Sequence, residues 1–340
     1  MATSACVAVL LAPVGAEPHA AAPVRSAVCD RAASARGDDG AVGTVSRPFR
    51  SAERLVESLR PGQVGGLLGG TFEEDLVIRH GGAPGKPITL RSAPGRRATI
   101  AGVVDVTSSA DDVVVANLRL VGHGRASPQV NGDRVTFRGN EITNRSGICL
   151  LLGAGFESRY GRARQVVVQG NRIHHCGRLP ATGHDHGIYV EGTNGVRITN
   201  NVVHHNADYG IHLYPDAQGT YVAYNVIDGN GGGVIFAGEE AGGEYEQEYA
   251  SSNNVVTNNV ISNSRRAHNI EAWWGGRAGV GNVATRNCVW NGARGNISEQ
   301  VGFRAAANVV ARPVFRRRVS GDFRLKARSA CARLLAGRGS

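Results

Sequence analysis

His212 and Tyr189 occupy the same place in two successive copies of one short pattern, Gly187-Ile188-Tyr189-Val190 and Gly210-Ile211-His212-Leu213. If the copies are strands in adjacent layers, imidazole and phenol lie about 4.8 Å apart, one strand spacing. An imidazole with its ordinary pKa near 6.5 exchanges a proton near neutrality. Beside a phenol it can take a proton from a carbon acid and return one to a leaving oxygen. Glu191 and Tyr214 form a second pair two residues on; His184, Asp185 and His186 lead into Tyr189, and Asp216 follows Tyr214. These spacings predict His212 as the central catalytic residue, assisted by Tyr189, His184 and His186, with Glu191 and Asp216 as acid, base or ligand. Asp185, Tyr214, Glu271, Trp273 and Trp274 are expected to bind substrate, the tryptophans as a stacking platform. Two other readings stand beside this one. Glu191 and Asp216, on neighbouring layers, could supply the two carboxyls about 6.5–9.5 Å apart that inverting hydrolysis needs, with Glu239 and Glu240 as further candidates. The same residues could also line a purely binding surface. A lysine base has no candidate, because Lys86 and Lys326 lie outside the repeating region.

Such residues need a repeating scaffold to hold them. Asn117, Asn140, Asn171, Asn201, Asn225, Asn259 and Asn287 recur at spacings of 23, 31, 30, 24, 34 and 28, and six of them precede x-Ile or x-Val. Repeats of this length mark stacked architectures in which no unit is stable alone. Asn tolerates the left-handed backbone of a sharp bend, and its amide can bond the same amide one layer away. Seven asparagines stacked at one bend are therefore expected. In phase run Gly147-Ile148-Cys149-Leu150, the two copies above, Gly233-Val234-Ile235-Phe236 and Asn269-Ile270-Glu271-Ala272. Alternation points Ile148, Ile188, Ile211, Val234 and Ile270 inward, and Cys149, Tyr189, His212, Ile235 and Glu271 outward with Glu191, Tyr214 and Trp273. Phe137, Val168, Ile198, Val222 and Val256, three residues before an asparagine, are further inward positions. Short β-branched strands, no helical period, 47 glycines in 340 residues and 6% aromatics predict an all-β, single-stranded right-handed parallel β-helix. Three coils carry extra residues, 151–165, 176–186 and 237–252, two leaning from one edge of the outward face and one from the other. Loops over a rigid scaffold are where sites are built.

The ends differ in kind. Residues 1–22 hold an apolar run and small residues that predict a signal peptide, although a basic start is missing. Residues 23–47 read as a lead-in, 48–325 as the β-helix and 326–340 as a C-terminal tail. Residues 51–59 form the one helical segment, with Ser51 as N-cap and Leu55, Val56 and Leu59 as its apolar stripe, expected to cap the first coil. Residues 313–315 and 321–325 break the period and are expected to close the last coil. No other stretch approaches the roughly 20 apolar residues of a membrane span. Cys149 and Cys176 fall in adjacent coils, and Cys288 and Cys331 at the end where the tail folds back, which predicts two disulfides and leaves Cys29 odd. No cysteine or histidine spacing suits zinc, and no cofactor is called for. Calcium could be recruited by Asp111-Asp112 or by the Glu239–Glu248 loop, though neither has a spaced ligand pattern. The net charge of +10 comes from scattered arginines. It favours an anionic polysaccharide or cell wall over a nucleic acid as partner of a secreted monomer.

Two segments, Cys176-Gly-Arg-Leu-Pro-Ala-Thr-Gly-His-Asp-His-Gly-Ile-Tyr-Val-Glu191 and Asp208-Tyr-Gly-Ile-His-Leu-Tyr-Pro-Asp-Ala-Gln-Gly219, resemble the secreted actinobacterial right-handed parallel β-helix repeat proteins of the pectate-lyase-like superfamily. The resemblance spans roughly residues 29–335. It implies the β-helix and little about activity, because that scaffold hosts lyases, hydrolases, epimerases and phage tailspikes. In similar proteins a cysteine often stands where this chain has Gly66, so the resemblance implies that Cys29 has lost a partner. The expectation is a carbohydrate-active protein working on a uronate polymer by β-elimination or epimerisation. Inverting hydrolysis through Glu191 and Asp216, or binding alone, are the alternatives.

Overall fold

The computed structural model describes residues 29–158 and 160–335; the expected signal peptide lies outside them. Apolar residues, many of them β-branched, face inward from the coils and meet in one continuous core. It runs from Phe49 and Leu55 through Phe137, Val168, Ile198, Val222 and Val256 to Phe303. Three sheets of eleven, ten and ten strands wrap that core, parallel throughout except for Tyr249–Ala250, which pairs antiparallel to Gly232–Glu239 at the edge of the third. One coil shows the plan: Arg197–Thr199 in the first sheet, Val202–His204 in the second, Tyr209–Gln218 in the third. Each strand pairs in parallel with its counterpart one coil on, as Arg197 with Tyr221 and Val202 with Val226. This is the right-handed parallel β-helix that the repeats predict.

The bend between the first two sheets carries the ladder. Asn140, Asn171, Asn201, Asn225, Asn259 and Asn287 each donate from backbone N and side-chain Nδ2 to the Oδ1 of the next, at 2.8–3.1 Å. The last acceptor is Asn308, which extends the ladder. Asn117 is not a member: Leu118 holds that rung and its N–H donates to Asn140 Oδ1 at 3.0 Å. Nor do the ladder asparagines take the left-handed conformation. The residue before each does: Asn117, Gly139, Gly170, Asn200, Tyr224, Asn258, Arg286 and Ala307 all have positive φ. The asparagine side chain bonds the bend, and its predecessor makes it. Shorter ladders stand at the other two bends, Asn206 to Asn230 and Asn254 to Asn282.

Register in the third sheet departs from expectation at one point. Ile188 pairs with Leu150, not Ile148, so Leu151 lies beside Tyr189. Ile148 belongs to the outward apolar cluster and Cys149 to the core, the reverse of their expected facing. Ile148 makes only an isolated bridge to Ala126, so the strand proper begins after it.

Within the stretch read as lead-in, Arg31–Ala33 forms a strand paired to Gly65–Leu67. Helix Ala52–Glu57 follows, its N-cap Ser51 accepting from Arg54 N–H at 3.1 Å, with Leu55 and Val56 buried. At the other end the hairpin Phe315–Arg317 and Asp322–Leu325 does not close the last coil. It runs back along the flank, where Phe315, Phe323 and Leu335 cover Val226, Val260 and Cys288 of the second sheet. That apolar flank needs a cover, and the tail supplies it. Cys149–Cys176 and Cys288–Cys331 are disulfide-bonded at 2.05 Å, and Cys29 is free among the described residues. A Cβ at Gly66 would come within 2.1 Å of the Cys29 sulfur, so the two positions face each other as the resemblance implies. Among the described residues no helix is long and apolar enough to cross a membrane.

Candidate functional site

The outward face of the third sheet is the floor of a groove of about 1100 Å³. Register puts Tyr189, His212, Ile235 and Glu271 in one row across four coils. The rings on the floor touch: Tyr189 and His212 centroids are 5.2 Å apart, His212 and Tyr214 5.2 Å, Tyr209 and His212 5.5 Å. Two of the extra loops, 176–186 and 237–252, line the walls, and 151–165 backs the second of them. Those after the sheet, 151–165 and 237–252, join through Phe156 against Tyr245 and Tyr249. The loop 176–186 rises from the opposite edge.

The walls differ in charge. On the edge before the sheet stand Arg125, Arg178, His184, Arg266, His268 and Arg294; on the other stand Glu239 and Glu244, with Trp273 51% exposed at that end of the floor. Asp185 holds Arg178 at 3.2 Å, and fully buried Asp208 holds Arg266. Arg125 and Arg294 are exposed and make no ion pair among the described residues. Asp208 also accepts the backbone N–H groups of Gly183 and Asp185 at 2.9 and 3.0 Å, which pins the His184–His186 segment to the coil beneath.

Beneath the floor lies His186, 1% exposed. Its Nδ1 accepts the backbone N–H of Tyr209 at 3.3 Å, and its Nε2 lies 2.8 Å from Nδ1 of His212. Burial drives the His186 pKa down to about 3, helped by His184 and Arg266. Burial, with His186 and His184 alongside, also holds His212 well below its ordinary value. His212 is thus not the freely titrating imidazole expected from its type. The phenols stay protonated: burial raises Tyr189, Tyr209 and Tyr214 far above their usual range. Tyr214 donates to Glu239 at 2.5 Å and lies 3.1 Å from Glu244. Tyr209 donates to Glu271, which also accepts from His268 N at 3.0 Å and lies 2.7 Å from His268 Nδ1.

The structure therefore brings His184, Asp185, His186, Tyr189, His212, Tyr214, Glu271 and Trp273 to one groove. It does not bring Asp216 there. Asp216 is bound by Arg162 and Gln218 in a separate depression of about 470 Å³, on the far side of a register shift in its strand. Glu191 is absent from the lining too. Buried at 5% exposure, it accepts Gly155 N–H at 3.1 Å inside the wall, and burial raises its pKa. Trp274 packs on the core with its indole N–H bonded to Val301 O at 2.9 Å, so it is a plug and not a platform. For calcium the acidic candidates fit poorly: Arg134 holds Asp111 and Asp112 at 3.0 and 2.9 Å, and no cluster of three metal-type ligands exists among the described residues. Sequence alone did not point to Tyr209, His268, Arg125, Arg266, Arg294 or Asp208, and it pointed to Glu244 only as part of the Glu239–Glu248 loop. Tyr209 and His268 carried a usable signal, standing like His186 two residues before an inward isoleucine.

Residues 102–299 match the family model described as a right-handed β-helix region. A curated relative, the uncharacterised protein YwoF of Bacillus subtilis (strain 168), is 35% identical over 69 residues, 20% of this chain and only 15% of its own length. Among solved structures, pectate lyase Pel9A matches at TM-score 0.53 and 15% identity, covering 84% of this chain and 78% of its own. The A-module of the mannuronan C-5 epimerase AlgE6 of Azotobacter vinelandii matches at 0.52 and 15%, covering 74% and 75%. The GH136 lacto-N-biosidase of Eubacterium ramulus matches at 0.56 and 14%, covering 82% and 63%. At such identities these neighbours share the fold alone. With more than half its length matched, the chain belongs to the right-handed β-helix family.

Proposed function

We propose that this protein is a carbohydrate-active enzyme that cleaves or epimerises a uronate-containing polysaccharide outside the cell. The single observation that carries this reading is the groove itself: an aromatic floor lying along the coil stack, with two arginines on one wall that make no ion pair among the described residues. Coils are about 4.8 Å apart, close to one sugar unit, so a polymer laid along the stack meets a new row of side chains at each residue. Aromatic rings offer apolar faces to sugar rings. Arg125 and Arg294 offer bidentate partners for carboxylates. The fold neighbours are named as a pectate lyase, a mannuronan C-5 epimerase and a lacto-N-biosidase, which supports carbohydrate chemistry in general.

At the centre of the floor Tyr189 and His212 contact the reacting sugar. Both are uncharged at neutral pH, so they work through hydrogen bonds and proton transfer. Hydrolysis through Glu191 and Asp216 is disfavoured, because Asp216 is committed to Arg162 outside the groove. The two disulfides fit an oxidising, extracellular setting. The test is incubation with pectate, alginate and glycosaminoglycan polymers, read by ultraviolet absorbance of the unsaturated product, reducing ends, and proton exchange at C5. His212→Ala should lower turnover by about 10²–10⁴-fold, the share of a positioned proton-transfer or donor group. Absence of product, exchange and binding across the panel would sink the reading.

A further inference from the structure

We infer that His212 presents an N–H to the sugar and is a fixed hydrogen-bond donor, not the base. This rests on the reading of the groove as the site for a uronate. The argument starts at a group that cannot change role. The backbone N–H of Tyr209 can only donate, and it points at His186 Nδ1 at 3.3 Å. His186 Nδ1 must therefore carry the lone pair, which leaves the His186 proton on Nε2. That Nε2–H faces His212 Nδ1 at 2.8 Å, so His212 Nδ1 accepts. The His212 proton is then on Nε2. Nδ1 cannot take the ring's second proton without setting two N–H groups against each other, so the imidazolium is excluded for His212 as well as for His186. Burial of both rings, with depressed pKa values, acts in the same sense.

A neutral imidazole locked in this tautomer has no lone pair to offer a substrate C–H. It offers an uncharged N–H on the groove side, suited to the uronate carboxyl, where negative charge builds when the C5 proton leaves. The base must then be another group. Tyr209 has the arrangement for it: its hydroxyl already donates to Glu271. Its oxygen would take the C5 proton while its own proton passes to the Glu271 carboxylate. The C5–H electron pair forms either C4=C5, with the glycosidic C4–O bond breaking, or an enolate that is reprotonated from the other face. Tyr189, a neutral phenol packed against His212 in the same row, would protonate the departing oxygen.

The test reads the tautomer directly, without substrate. The full-length protein is labelled with ¹⁵N-histidine, and the His212 ring is assigned by its loss in His212→Gln. The expected result is a proton on Nε2 and a bare Nδ1, unchanged from pH 8 to pH 5. A proton on Nδ1, or an imidazolium above pH 5, would overturn the inference whatever the substrate turns out to be. A second arm uses turnover on the active polymer. Gln keeps an N–H donor of similar reach, so His212→Gln should keep at least about tenfold more activity than His212→Ala, a difference of about 1.4 kcal/mol. Equal losses in the two variants would point to a base and defeat the inference. If the tautomer is as stated but no uronate polymer is bound or turned over, the functional reading fails and the geometry stands.

Discussion

Two adjacent tryptophans show how one position in the pleat separates binding from folding. Trp273 is 51% exposed at the groove, its ring 6.3 Å from Tyr214. Trp274 turns to the core and donates its indole N–H to Val301 O at 2.9 Å. Trp273→Ala should leave thermal stability within about 2 °C, since exposed substitutions lie within roughly 0.5 kcal/mol, and should raise KM. Trp274→Ala should cost about 2–3 kcal/mol through lost packing and lower the melting temperature. Calorimetry and Michaelis kinetics on both variants check this, and a reversed pattern would remove Trp273 from the groove's binding surface. The two free arginines act at longer range. Arg125→Ala and Arg294→Ala should raise KM with kcat little changed, the mark of binding shared by ground and transition states. Added salt should narrow their difference from the unmodified protein.

At the scale of the coil, the ladder sets the energetics. Asn201 accepts from Asn171 N and Nδ2 through Oδ1 and donates through Nδ2 to Val168 O, all out of reach of water. Asn201→Ala strands those buried partners at about 1–3 kcal/mol each, so a loss of at least about 3 kcal/mol is expected in denaturant melts. Asn117→Gly should be close to neutral, because residue 117 needs only a positive φ. A ladder loss no larger than that at 117 would refute the division between bend-making and bend-bonding residues. The ladder's period was legible in the sequence because only an asparagine side chain relays both bonds from rung to rung, and where Leu118 takes the place the relay ends. The bend was not: Gly, Asn, Tyr, Arg and Ala all fill the preceding place, so its pattern is conformational and not chemical. The register at Ile148 was hidden for a related reason: a shift of two residues preserves alternation, and the break between Cys149 and Leu150, both turned to the core, is again one of backbone conformation. The site followed the same rule. Tyr189 and His212 were found because they sit within strands, whereas Arg125, Arg266 and Arg294 reach the groove from bends whose direction no alternation records.

Over the whole molecule, the C-terminal tail is tied to the second sheet by groups that respond to acid. His174 and His204 stack at 4.8 Å, His175 and His205 at 5.8 Å, and Phe323 of the tail packs 4.6 Å from His204. Around them stand Glu141 beside His174, Arg145 and Arg172 near His175, and Asp228, Arg265 and Arg318 near His205. Burial lowers His174 to about 4 and His204 to about 2, and lowers His175 and His205 as well; only Glu141 and Asp228 oppose it. The unfolded chain binds protons on these rings near pH 6.5, the folded one at lower pH, and for His174 and His204 at much lower pH. Stability from the cluster is therefore complete above about pH 6.5 and is lost as pH falls toward 4, with His174 alone contributing up to roughly 3 kcal/mol at about 1.4 kcal/mol per unit. The melting temperature should fall between pH 7 and pH 4, and His204→Phe, which keeps a ring against Phe323, should flatten that slope. Carboxylates titrating elsewhere act equally on both proteins, so the difference in slope isolates the histidines. The disulfide Cys288–Cys331 closes 43 residues of chain and holds the tail in place through local opening. A protease active at both pH values, with its rate normalised on an unfolded peptide, should cut the tail near 315–325 faster at pH 4.5 than at pH 7, releasing it only after reduction. A slope unchanged by His204→Phe, or a tail equally resistant at both pH values, would show that the histidine stack does not govern how the tail is held.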